Sequence, residues 1–140
     1  MKEYIAGLLD GDGSITIRKC ARPDMVSPSY AMFTVITSAQ KEVLEEIQAL
    51  YGGSIQLRKA EQISLLYLNK KDLFALVLVA LKAKALLVDI LPFLRIKVEQ
   101  AKLAIQFQDG RGRKVRKPLR PEILTKHELI YKKMHQLNTT

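Results

Sequence analysis

Near the N-terminus one stretch changes its hydrophobic period in mid-course, and that change limits what the chain can fold into. Across Tyr4 to Ile17, Ile5, Ala6, Leu8 and Leu9 with Gly7 and Gly11 suit a short, tightly packed helix. From Ser14 onward Ile15 and Ile17 alternate with Ser14, Thr16 and Arg18, the period of a half-buried strand. Two carboxylates, Asp10 and Asp12, therefore stand where a helix gives way to a strand. Gly7 and Gly11 lie four apart on one side of the helix, and glycine there costs about 1 kcal/mol against alanine. A second backbone pressed against this face would compensate. If that backbone is the same helix of a second subunit, a two-fold axis brings each Asp12 near its twin. Their repulsion then calls for a cation, and hard carboxylate oxygens suit Mg2+.

Other readings of Asp10-Gly-Asp-Gly13 stand beside this one. The four residues are ordinary turn chemistry. A calcium loop of the EF-hand type fails, because its glycine position falls on Ile15 and its closing glutamate position on Ala21. A nucleotidyltransferase-like aspartate pair lacks an accompanying glycine-rich phosphate-binding motif.

The nine residues Ile5-Ala-Gly-Leu-Leu-Asp-Gly-Asp-Gly13 resemble the signature of the LAGLIDADG homing endonucleases. They differ by Ile for the first Leu, Leu for Ile and Gly for the second Ala, and the layout of roughly the first 107 residues follows the family's. The resemblance implies an α+β domain of αββαββα order, with a four-stranded antiparallel saddle sheet covered by helices on one face. The motif occurs once, so the resemblance implies a homodimer with Gly7, Leu8, Asp10 and Gly11 at its interface. It further implies a site-specific double-strand DNA endonuclease acting on a long pseudo-palindromic target and leaving short 3′ overhangs. Relatives of the same fold act as intron RNA maturases or as DNA-binding proteins that do not cut, and those readings stay open here, as does a basic RNA-binding protein whose motif is only a turn.

Residue roles follow from the same resemblance. Asp12 matches the metal ligand and the Gly11 carbonyl lies beside it. Mg2+ is the expected ion, with Mn2+ as a substitute and Ca2+ binding without turnover. Asp10 is expected to be structural, accepting backbone N–H groups at the helix-to-strand junction. Leu91-Pro-Phe-Leu-Arg-Ile-Lys97 looks like the family's lysine segment, which makes Lys97 the candidate for stabilising transition-state charge or ordering the attacking water. The water-ordering polar position near the end of the second strand falls on Thr37 or Ser38, or on Gln40 if the register shifts. A restriction-type nuclease would need Glu-x-Lys or Asp-x-Lys on a strand, and a zinc nuclease would need histidines at ligand spacing.

In chain order, Ala21 to Ser29 reads as a loop and Tyr30 to Thr37 as a second strand. Ser14, Thr16 and Arg18 share a polar face that could read base edges in a major groove, and Tyr30, Thr34, Gln56 and Arg58 are further candidate DNA contacts. Ser38 to Tyr51 is expected as a helix with Ser38 as N-cap and Val43, Ile47 and Leu50 on its apolar side, ended by Gly52-Gly53. Strands are expected at Ser54 to Lys59 and Gln62 to Asn69. Helices are expected over Lys71 to Ala83 and Ala85 to Leu91, the latter stopped by Pro92. Phe93 to Gln108 resumes with Ile96, Leu103 and Phe107 as apolar positions. Residues 1–108 form the expected endonuclease core, and 109–140 a basic extension of the same domain. In that extension Asp109 to Lys117 holds five basic residues, among them Arg111, Arg113 and Lys114, as candidate phosphate contacts. Thr125 and Glu128 form an expected capping box on a closing helix. His127 and His135 belong to no motif and read as core or surface residues.

Composition supports this outline. Of the net charge of +9, most is C-terminal: residues 101–140 hold ten basic and three acidic side chains, which points to a polyanionic partner and salt-sensitive binding. One cysteine, Cys20, cannot form an internal disulfide, so a reducing cytoplasmic or organellar setting is expected. The most apolar run, Leu73 to Leu94, is interrupted by Lys82, Lys84, Asp89 and Pro92, which argues for buried elements over a membrane span.

Overall fold

A computed structural model describes residues 1–21, 23–24, 28–59, 72–111 and 121–139. Helix α1 (Lys2–Asp12) runs straight into β1 (Gly13–Cys20), followed by β2 (Ser29–Ser38), α2 (Lys41–Tyr51), β3 (Ser54–Arg58) and β4 (Leu73–Val79). Helix α3 (Leu81–Ile90), a 3-10 turn (Leu91–Phe93), α4 (Val98–Arg111) and α5 (Pro121–Thr139) complete the order. The sheet is antiparallel with strand order β1-β2-β4-β3. The expected α+β architecture is the one found, helices gathered over one face of a four-stranded sheet.

Side-chain alternation divides that sheet. Ile15 and Ile17 of β1, Met32 and Ile36 of β2, and Leu76 and Leu78 of β4 are buried together with Leu9 of α1, Leu44 and Ile47 of α2, Leu86 and Leu87 of α3, and Phe107 of α4. Burying each such side chain is worth about 1.5–3 kcal/mol, so this layer is what holds the helices to the sheet. The junction between α1 and β1 is unusually close. A Cβ at Gly13 would lie 2.5 Å from Leu9 Cδ1 and 2.8 Å from Leu9 Cα. Only glycine lets the strand leave the helix at that point, which explains the last residue of the motif.

Several local expectations are corrected. The segment expected as a helix from Lys71 to Ala83 contains β4, because Leu73-Phe-Ala-Leu-Val-Leu-Val79 is a continuous apolar run whose period cannot separate a buried strand from a buried helix. The expected strand Gln62 to Asn69 lies outside the described residues. Helix α2 begins three residues later than expected, with Gln40 at its N-cap, and Ser38 Oγ accepts the Gln40 N–H at 3.0 Å. Its buried side is Leu44 and Ile47, whereas Leu50 is exposed. Ile96 is also exposed and precedes α4. Helix α4 runs from Val98 to Arg111. In α5 the Thr125 hydroxyl donates to Pro121 O within the helix, so no capping box forms and Glu128 is left for other partners.

Candidate nucleic-acid interface and acidic helix end

Helix α1 has two faces of opposite kind. Ile5, Ala6 and Leu9 are fully buried against the sheet. Tyr4, Gly7, Leu8 and Gly11, spaced at three and four residues, form the other stripe. Tyr4, Gly7 and Gly11 are exposed and Leu8 is half-buried, and a Cβ added at Gly7 or Gly11 would meet no atom within 4 Å. Among the described residues, no contact within the subunit requires these glycines in the helix interior.

At the end of α1 the two motif carboxylates part company. Asp12 is exposed at the helix terminus. Asp10 turns inward, but its partners come from another segment and not from the helix-to-strand junction as expected: Oδ2 accepts the Arg95 N–H at 2.8 Å and Oδ1 accepts the Lys97 N–H at 3.0 Å. Burial pushes the Asp10 carboxyl up, but the backbone N–H groups of Arg95, Lys97 and Ile96, with the Lys97 charge, outweigh it and hold the carboxyl below its ordinary value. In return Lys97 Nζ donates to the Asp10 carbonyl at 2.9 Å. The last carbonyls of a helix have no intrahelical partner and carry its negative dipole end, so an ammonium is favoured there. The fold in this way brings Lys97 to the acidic end of α1. Thr37 of β2 lies one step beyond the Gly13–Ile36 pair, hence beside the same junction.

The open face of the sheet is polar at its edges. Ser14, Thr16 and Arg18 line it from β1, and Gln56 and Arg58 from β3. Arg18 stacks its guanidinium over Phe33, 4.1 Å from the ring centre, which holds the cation on that face. Two expected contacts are corrected by the strand parity. Tyr30 and Thr34 share the helix-covered face and are 4% and 0% exposed. The Tyr30 hydroxyl donates to Glu128 Oε2, and Lys19 Nζ pairs with the same oxygen at 2.9 Å, so this cluster fastens α5 to the sheet. His127 is buried beside it against Tyr30 and Phe107. Arg113 and Lys114 lie outside the described residues, as does the side chain of Arg111.

A divalent cation is tested by the donors present. The Asp12 carboxylate and the neighbouring Gly11 carbonyl are hard oxygens of the kind Mg2+ takes. Among the described residues no group of three or more His, Cys, Asp or Glu side chains could hold a metal within one subunit. Asp12 with the Gly11 carbonyl would give two oxygen donors from one subunit, fewer than the six that Mg2+ takes. No helix among the described residues is long and apolar enough to cross a membrane.

Two contacts at this site have no local signal in the sequence: the clamp of Asp10 on the 95–97 backbone and the return of the Lys97 ammonium to the Asp10 carbonyl join residues 85 and 87 apart.

A family model described as LAGLIDADG endonuclease matches residues 5–104. No curated protein matches the sequence. Among solved structures, the homing endonuclease I-CvuI in complex with the I-CreI target superposes with a TM-score of 0.72 at 22% identity, over 97% of this chain and 80% of that one. An archaeal intron-encoded homing endonuclease complexed with DNA gives 0.73 at 19% identity, over 97% and 82%. The homing endonuclease I-TnaI gives 0.63 at 17%, over 99% and 94%. With 100 residues matched across motif, sheet and helices, the chain belongs to the LAGLIDADG endonuclease family.

Proposed function

We propose that the protein is a homodimeric, divalent-metal-dependent, site-specific double-strand DNA endonuclease. The observation that carries this reading is the meeting of Lys97 with the acidic end of α1, beside a glycine stripe open to a second copy. Two copies joined along that stripe would set their Asp12 carboxylates side by side. Bound there with the Gly11 carbonyls, Mg2+ would supply charge stabilisation and activation of water for phosphodiester hydrolysis. The Lys97 ammonium would stabilise negative charge developing on the phosphoryl oxygens, and Thr37 would orient the attacking water. Ser14, Thr16, Arg18, Gln56 and Arg58 would face the major groove, and a two-fold protein would read a pseudo-palindromic site. A protein that only binds DNA has no use for a lysine held against a carbonyl beside an exposed carboxylate.

The test is a plasmid pool with randomised inserts, incubated with Mg2+ and the parent or an Asp12→Asn variant. Linear product recovered from the parent alone is the expected result. Cutting by the variant at the parent's rate would remove Asp12 from the chemistry. Retarded but uncut DNA throughout would make the protein a non-cleaving binder.

A further inference from the structure

We propose that Asp10 is a positioning residue: through the 95–97 backbone, which leads into α4, it sets where the Lys97 ammonium lies. The inference rests on the nuclease reading above and assigns Asp10 a part in it. Lys97 occupies the N-cap of α4, since its carbonyl accepts the Ala101 N–H at 3.0 Å while the helix proper starts at Val98. Lysine is a poor residue for that place, because its side chain has donors only and cannot take up the orphan N–H groups of a first turn. Asp10 instead holds, from α1, the backbone that leads into the helix. Both of its oxygens are used, on Arg95 N and Lys97 N, so the segment can neither slide nor rotate without breaking one bond.

The exchange is reciprocal. The N-terminus of α4 receives an anion from α1, and the C-terminus of α1, which has no basic residue in its own last turn, receives a cation from the start of α4. Because the Lys97 backbone is held by the Asp10 carboxylate and its ammonium by the Asp10 carbonyl, both ends of a long flexible side chain are referred to one residue. Asp10 is not part of the Tyr4, Gly7, Leu8 and Gly11 stripe expected to meet a second copy, and both its carboxylate oxygens are engaged within the subunit. Its loss should therefore affect turnover and leave DNA affinity alone.

A double-mutant cycle reads this out: single-turnover cleavage in Mg2+ for the parent, Asp10→Ala, Lys97→Met and the double variant, with DNA affinity measured in parallel by gel retardation. Asp10→Ala is expected to slow cleavage by about 10–100-fold, as loss of a supporting partner commonly does, with unchanged affinity. In the Lys97→Met background the same substitution is expected to add nothing. An equal further loss in that background, or no loss in the first, overturns the proposal. A parent that binds DNA but does not cut would refute the nuclease reading instead. Should Asp10→Ala not fold, Asp10→Asn, which keeps one acceptor, runs the same cycle. Amide exchange in the parent gives an independent measurement: Arg95 and Lys97 must be protected, and exchange at unfolded rates refutes the clamp.

Discussion

Gly7→Ala tests the idea that α1 is shaped for a second copy of itself. Gly7 lies mid-way in an 11-residue helix, its Cβ position is open, and its buried neighbours Ile5, Ala6 and Leu9 point the other way. Within one subunit the substitution therefore adds a methyl group to empty space and gains helix propensity of about 1 kcal/mol. For a chain of this size that is a rise in melting temperature of about 4 °C. Across a two-fold axis the balance reverses. The methyl appears twice, once from each subunit, in a gap where two backbones are meant to touch. Thermal melts over a protein-concentration series, paired with sedimentation equilibrium, separate the two effects. In dilute solution the variant should melt above the parent. With rising concentration the parent should gain stability by mass action while the variant stays flat and monomeric. Equal self-association of the two proteins would refute the abutting of the α1 helices, and no rise in the dilute melting temperature would refute the reading of Gly7 as unpacked within the subunit.

Two further outcomes follow from local geometry. Ala80 sits at φ 55°, ψ −121°, held by its N–H to Met32 O and its carbonyl to Lys84 N, a conformation that costs a non-glycine residue about 1–3 kcal/mol. Ala80→Gly should raise unfolding free energy in urea by about 1 kcal/mol after the greater flexibility of glycine in the unfolded chain is subtracted, and a lowered midpoint would contradict it. The depressed Asp10 carboxyl stabilises the fold above its unfolded value near 3.9, and that contribution fades as pH falls through the lower folded value. The parent's advantage over Asp10→Asn in urea midpoint should therefore hold at neutral pH and shrink below about pH 4; an advantage unchanged at acid pH would show that the charge is not its source.

What could be read without coordinates was local or periodic. The shift from helical to strand spacing across Asp10 to Gly13, the alternation of Ser14 to Arg18 and the bracket of glycines after α2 are all statements about neighbours in the chain. They sufficed for the element order and for the acidic helix end. They failed where the pattern carries no phase. The run Leu73 to Val79 is apolar at every position, so only its hydrogen bonding to β2 and β3 makes it a strand. Tyr30 and Thr34 were expected on the groove side, but a slip of one residue exchanges the two faces of a strand, and the pairing of β2 with β1 sends both inward.

The sequence by itself determined the family motif, the α+β order and the concentration of positive charge toward the C-terminus, because each depends on residues close together or on totals. Tertiary structure alone decided that Asp10 serves the 95–97 turn, that Lys97 returns to the end of α1, and that Glu128 ties α5 to Tyr30 and Lys19. Those contacts join residues far apart in the chain, and hydrogen-bonding groups carry no mark of the partner they will meet until packing of the apolar faces has brought the elements together.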